Sequence, residues 1–259
     1  MKTIHFIVLA GAVLLLSCSG KSKQEPASAD GLSGEIQLSG AFALYPMAVK
    51  WADEFKKLHP NVRIDVSGGG AGKGMTDALA GVVDLGMVSR EIYPEEKAKG
   101  AFAIAVVKDA VVPTINANNP ESANIKRIGL KKEVAQRLWN NEITTWGGIL
   151  GTDSKIPVHV FTRSDACGAA ETFAAWLGRK QENLRATAVF GNPGVASAVQ
   201  KDRVGIGYNN IAYAYDQKTK KPFEGLSIIP LDTNGNGQID PEEDFYGSRK
   251  VINDVEEAI

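Results

Sequence analysis

The sequence predicts an α/β fold made of layered, largely parallel sheets. Three observations carry that expectation. Short β-branched runs alternate along the chain with segments of helical period. Three strand-to-helix joins, at residues 39–46, 67–74 and 163–169, are tight turns rich in glycine, alanine and serine. From about Gly34 onward the chain is long enough for one large or two modest domains of this class.

The elements follow in order. Residues 35–38 read as a short strand. The turn at 39–46 opens a helix whose apolar positions, Met47, Trp51, Phe55 and Leu58, keep close to the 3.6 period. Pro46 suits the first turn, where its missing N–H leaves nothing unpaired, and His59-Pro60 ends the helix. Residues 62–66 alternate as a strand, a glycine-rich run follows at 67–74, and a helix continues through Met75 and Leu79. Residues 82–88 form a third strand with Ser89 and Arg90 at its end. The stretch 101–115 is mostly apolar and β-branched, which reads as one or two buried strands. Residues 116–120 form a crossing loop, 130–139 a helix and 156–161 a strand. The helix after Gly168 places Ala169, Phe173, Trp176 and Leu177 on one face. A turn at 191–194, a short helix at 195–199 and strands at 204–208 and 227–231 complete the pattern. Val251, Ile252, Val255 and Ile259 mark a further amphipathic helix.

The first residues stand apart from this fold. Lys2 precedes an apolar run at 7–16 that is too short for a permanent bilayer span. Leu15-Leu16-Ser17-Cys18 then resembles a bacterial lipoprotein signal, with Cys18 as the lipidated first residue of the mature chain. An ordinary secretory signal with an incidental cysteine is the alternative. Residues 1–17 are thus a signal peptide, and 18–33, rich in Ser, Lys, Gln, Pro, Ala and Gly, form a flexible tether.

Charge narrows the partners. The chain carries 29 basic and 30 acidic residues, a formal net charge of −1. Nucleic acid would favour a basic excess, so it is not an expected partner. Only Cys18 and Cys167 are present, so lipidation of Cys18 leaves no intramolecular disulfide.

The segment 161–173 is the most pointed for chemistry. It reads as a strand end, an arginine, a small-residue turn and a helix start. A helix start offers unpaired N–H groups and partial positive charge, and Arg163 adds a planar donor fork. In open α/β sheets, ligands sit beyond the carboxyl ends of the strands. All three turns fall at such ends, and together they suggest a pocket for a small oxyanion. Asp165 either orients Arg163 or forms the turn. Cys167 reads as a buried small residue. A cysteine hydrolase would need a histidine, and beyond the signal only His59 and His159 remain. The chain is therefore not expected to be an enzyme.

Taken in series, several segments resemble the phosphate-binding proteins of bacterial ABC importers, within the type II periplasmic binding-protein superfamily. They are Ser-Gly-Ala-Phe-Ala-Leu-Tyr-Pro with Lys-Trp-Ala at 39–52, the glycine run at 68–74, and Val-Asp-Leu-Gly at 83–86 with Ser89-Arg90. Trp139 with Ile-Thr-Thr-Trp at 143–146, Arg-Ser-Asp-Ala-Cys-Gly at 163–168 and Gly-Ile-Gly-Tyr at 205–208 complete the series. The resemblance implies a two-lobed type II periplasmic binding-protein fold with the ligand cleft between lobes: lobe I from 34–115 and 225–259, lobe II from 116–224. By position it places ligand contacts on Ala43, Leu44, Ala71, Ser89, Arg90, Arg163, Cys167, Gly168 and Ala169. The best-known members carry hydroxyls where this chain has Ala43, Ala71, Cys167 and Ala169, and often an aspartate where it has Arg90. Backbone N–H groups, Ser39, Ser89, Ser164 and two arginines remain as donors. The family normally continues past this point with a Pro-containing segment and helices on the first lobe, so the chain reads as a short form or a fragment.

Residues 232–243 match an EF-hand-like calcium loop near the C-terminus. Asp232, Asn234 and Asn236 stand at positions 1, 3 and 5, and Gly237 makes the turn at 6. Gln238 offers its carbonyl at 7, Asp240 stands at 9 and Glu243 closes at 12. No long helices flank it, so a structural Ca2+ clip is expected. The leading reading is a solute-binding lipoprotein, outside the cytoplasm on the periplasmic or cell-surface side, that passes an oxyanion, phosphate foremost, to ABC permease subunits. A surface-anchored, calcium-stabilised adhesion or sensory module on the same fold is the alternative.

Overall fold

The computed structural model describes residues 31–244. The signal, Cys18, nearly all of the tether and the apolar positions at 251–259 lie outside the described residues. Two separate α/β units are present, as expected.

The smaller unit is a parallel sheet in the order β2-β1-β3, from β1 (Gly34–Gly40), β2 (Val62–Gly68) and β3 (Leu85–Met87). Helices α1 (Tyr45–Leu58) and α2 (Ala71–Leu79) follow β1 and β2 through the expected turns. The buried stripe of α1 differs from the expected one. Ala48 and Ala52 face the sheet, while Trp51 is 46% and Leu58 71% exposed. Small side chains let the helix lie close to the strands, and among the described residues no second layer covers the larger ones. Its core is correspondingly small: Ala41, Ala48, Ala71 and Met87.

After α3 (Pro94–Ala98), the stretch 101–110 is not a buried strand. Phe102 is 88% and Ile104 72% exposed, and only β4 (Val111–Asn116) has strand structure. Apolar, β-branched composition is not enough; a strand needs a neighbour to complete its hydrogen-bond ladder.

The larger unit is a mixed sheet in the order β7-β6-β8-β4-β9. Its strands are β6 (His159–Arg163), β7 (Thr187–Val189), β8 (Gly205–Asn210) and β9 (Leu226–Ile228), with β4 antiparallel to both neighbours. The expected boundary at 115/116 thus falls at the end of β4, which lies wholly in this sheet. The expected helix at 130–139 is divided: Leu130 and Lys131 form β5, paired with β10 (Leu231–Asp232), and α5 is Lys132–Leu138. Residues 226–232 therefore pair within the larger unit. Helices α4 (Ser122–Ile128), α6 (Trp146–Leu150), α7 (Gly168–Trp176), α8 (Gly191–Lys201) and α9 (Ile211–Ala214) complete it. The expected turn at 191–194 is the first turn of α8. Its core is aromatic and sealed. Trp139 lies 4.7 Å from Phe173, which stacks on Tyr208 at 4.3 Å, and all three are buried. Among the described residues, no helix is long and apolar enough to cross a membrane.

Candidate functional site

The two units meet at the carboxyl ends of β1, β2 and β6. The glycine run of the smaller unit abuts the turn after Arg163: the Gly72 N–H donates to the Ala166 carbonyl at 3.2 Å. Gly70, at φ +88°, sits where a Cβ would lie 2.7 Å from an Asp165 carboxylate oxygen. The start of α7 packs on Ser89, and a Cβ on Gly168 would lie 1.7 Å from the Ser89 carbonyl oxygen. Tyr213 of α9 reaches across and donates its hydroxyl to the Phe42 carbonyl at 2.9 Å. Ala71, Ser89, Cys167, Gly168 and Ala169 are thus drawn to one junction, with Ala43 and Leu44 on the adjoining turn.

Arg163 lies at its centre and is only 4% exposed. Strand β6 delivers it, and the strand end is pinned from below. The Tyr208 hydroxyl lies 2.7 Å from Thr162 Oγ1 and accepts from the Arg163 N–H at 3.4 Å. Asp165 takes one edge of the guanidinium with both oxygens, accepting from Nε at 2.8 Å and from Nη2. Asn192 Oδ1 accepts from Nη1. The orienting role is therefore the one Asp165 performs. Phe42 lies over the guanidinium, 5.7 Å from its ring centroid.

Arg90 is placed differently from Arg163. Its guanidinium donates to both oxygens of Glu96, at 2.9 and 2.7 Å, and lies 4.2 Å from the Tyr93 ring centroid. The Glu96 hydrogen bond raises the arginine pKa further and lowers that of the glutamate. Arg90 Nε also stands 3.7 Å from Glu171 on α7, and the Tyr93 hydroxyl donates to Glu171 at 2.8 Å. These contacts tie the smaller unit to the first turns of α7. Ser39 is likewise engaged, donating to Asp77 at 2.5 Å, while Ser164 is exposed.

Cys167 is the N-cap of α7, and its sulfur accepts from the Ala170 N–H at 3.4 Å. Burial pushes its thiol up to about 11. A neutral thiol is no nucleophile at ordinary pH. His159 is paired instead with Asp202, its Nδ1 2.6 Å from the carboxylate. Three contributors escaped the sequence reading: Phe42, Tyr213 and Asn192. A glycine-flanked asparagine at a helix start was the available signal for Asn192.

The loop at 232–243 folds in on itself. Asp232 accepts from the N–H groups of Gly235 and Gly237 at 2.6 and 2.8 Å. The side-chain nitrogens of Asn234 and Asn236 both lie 2.8 Å from Asp240 Oδ2. Gln238 Nε2 reaches Asp240 Oδ1 at 3.1 Å. Glu243 bends back to the loop's start, accepting from the Thr233 N–H at 2.7 Å. Lys131 Nζ lies 2.7 Å from the Gly235 carbonyl and 3.6 Å from Asp232. Among the described residues, no group of three or more His, Cys, Asp or Glu side chains is placed to hold a metal ion.

Two α/β units closing on an arginine and a set of small-residue turns define a two-lobed binding protein. Residues 25–252 match the PBP superfamily domain, and the chain belongs to that family. It is 28% identical over 226 residues to the phosphate-binding protein PstS of Bacillus subtilis, covering 84% of this chain and 73% of that protein. It is 27% identical over 235 residues to PstS of Pseudomonas aeruginosa, covering 82% and 70%. Its structure is similar to a Clostridium perfringens substrate-binding protein, assigned to a phosphate ABC transporter and solved with phosphate bound. That similarity has a TM-score of 0.67 at 26% identity, over 84% of this chain and 83% of the other.

Proposed function

We propose that this chain is an extracytoplasmic solute-binding protein that captures a small oxyanion, phosphate foremost, for the permease of an ABC importer, without turning it over. The observation that carries the reading is Arg163, buried and held at the meeting point of three small-residue turns. The relatives named phosphate-binding and the phosphate-bound structure support phosphate as the anion.

In this reading, Arg163 supplies the charge. Backbone N–H groups of Ala43, Ala71, Gly168 and Ala169 and the Ser89 hydroxyl supply directed donors, while Leu44, whose N–H donates to the Ala41 carbonyl at 3.2 Å, shapes the turn beside them. Cys167 lines the pocket as a small neutral group, and Arg90, held by Glu96, adds field. Each charge-assisted hydrogen bond contributes about 1.5–3 kcal/mol. The smaller unit is read as lobe I and the larger as lobe II, with β4 and β9, next to the expected boundaries at 115/116 and 224/225, lying in the larger sheet and marking the crossings. Calorimetry with phosphate, sulfate, molybdate and tungstate tests the assignment. Phosphate binds the native protein, and Arg163→Ala weakens it by two bidentate-type bonds, about a hundred-fold or more. Equal affinity in that variant would sink the reading.

Two finer features belong to the same proposal. Cys18 carries a lipid anchor, and Cys18→Ser releases the protein from membranes; a variant that stays bound refutes the anchor. Asp232, Asn234, Asn236, Asp240 and Glu243, with the Gln238 carbonyl, hold Ca2+ as a structural clip. The 12-residue spacing, with oxygen-bearing residues at positions 1, 3, 5, 9 and 12 and glycine at 6, supports the site. Calcium raises the melting temperature by on the order of 5 °C. Identical melting in chelator and in millimolar calcium counts against it.

A further inference from the structure

A chain of side chains runs from the anion arginine to the start of β4. Asn192 Oδ1 accepts from Arg163, and Asn192 Nδ2 donates to Asn210 Oδ1. Asn210 Nδ2 then donates to Asp109 Oδ2 at 2.5 Å. Arg163, Asn192 and Asn210 are all nearly fully buried, whereas Asp109 lies at the exposed end. Asn210 stands at the N-cap of α9, where an asparagine side chain normally caps the helix. Here it makes no capping bond and turns to Asn192 and Asp109 instead.

The chain has only one workable direction. A guanidinium can only donate, and an ionised carboxylate can only accept. Each amide between them offers one accepting and one donating end. With a donor fixed at Arg163 and an acceptor fixed at Asp109, both amides must point their oxygens toward the arginine. The arginine imposes that polarity from its own end; what the carboxylate adds is a charged acceptor for the last amide N–H, a stronger anchor than water or a neutral amide provides. An inverted Asn192 would present its NH2 group to Arg163, donor against donor.

We propose that Asp109 is a positioning residue for the anion arginine, acting through Asn210 and Asn192. The proposal rests on the reading of Arg163 as the anion's charged contact. It places one determinant of the grip at the junction where the chain enters the larger sheet. It also has a sign that separates it from simple electrostatics. Acting through space, the Asp109 charge repels an anion, and its removal would tighten binding. Acting through the amides, its removal loosens Arg163 and weakens binding.

The test is Asp109→Asn, which keeps the size of the side chain but not the charged acceptor. Calorimetry with inorganic phosphate should show about ten-fold weaker binding than native. In an Asn192→Ala background the same change should have no further effect. Unchanged or tighter binding, or an equal loss in both backgrounds, would overturn the relay. NMR of the ligand-free full chain gives a readout that needs no phosphate. The Asn192 side-chain amide and Arg163 guanidinium resonances should shift in Asp109→Asn, and resonances left unmoved would refute the proposal. If native protein binds no phosphate, the transport reading fails while the NMR result still decides the relay.

Discussion

The two α/β units share one construction but not one kind of interior. The larger sheet closes over Trp139, Phe173 and Tyr208, with Trp146 buried in the same core. The smaller one packs on three alanines and Met87, and leaves Trp51, Leu58 and Leu85 in solvent. The difference teaches where precision is needed. The larger unit holds the charged group, and an arginine in a low-dielectric junction must be fixed by a rigid frame. The smaller unit contributes turns and backbone, which small residues allow to come close.

The strongest way to break this comparison is in the aromatic stack. Phe173→Ala should cost about 3–5 kcal/mol in denaturant unfolding, whereas Trp51→Ala should stay within about 0.5 kcal/mol. Equal losses would mean the smaller unit hides a core of its own. Met87→Ala should cost about 2 kcal/mol, near the low end for a buried methionine, because its cluster is otherwise alanines and partly buried side chains. Hydrogen exchange should show its unit opening before the larger sheet.

A weaker effect is expected at the contact between units. Tyr93→Phe removes the hydroxyl bonded to Glu171 and should weaken phosphate binding by about 0.5–1.5 kcal/mol, with thermal stability barely changed. Full native affinity would mean that this contact does not help to close the cleft. The smallest effect concerns Glu96. Arg90 holds its carboxyl below the usual glutamate range, so the pair's contribution is present above the unfolded pKa. It is lost as pH falls through the depressed folded value. The stability gap between native and Glu96→Gln should therefore narrow in acid, and a gap constant down to low pH would exclude the pair as its source.

Much of the site was legible because it is built from local chain. The turns at 67–74 and 163–169 announce themselves by glycine and alanine, and the structure brings them within hydrogen-bond reach. What was not legible depends on long-range partners. Arg90 reads as an anion contact until Glu96 and Glu171 are seen beside it. Asn192 reads as turn chemistry until Arg163 arrives from a different strand. Residues 101–110 read as strand because composition cannot reveal whether a neighbouring strand is there. The stripe of α1 was misplaced because large apolar residues dominate a periodicity count, while Ala48 and Ala52 decide the contact.

The cysteine at the head of α7 has a chemical consequence. A thiol whose pKa lies at about 11 is ionised in roughly one molecule in ten thousand at pH 7. Oxidants and alkylating agents act through the thiolate, and sulfur enclosed by the start of a helix is also hard to reach. In the proposed pocket the sulfur would therefore sit as a largely protonated, shielded thiol.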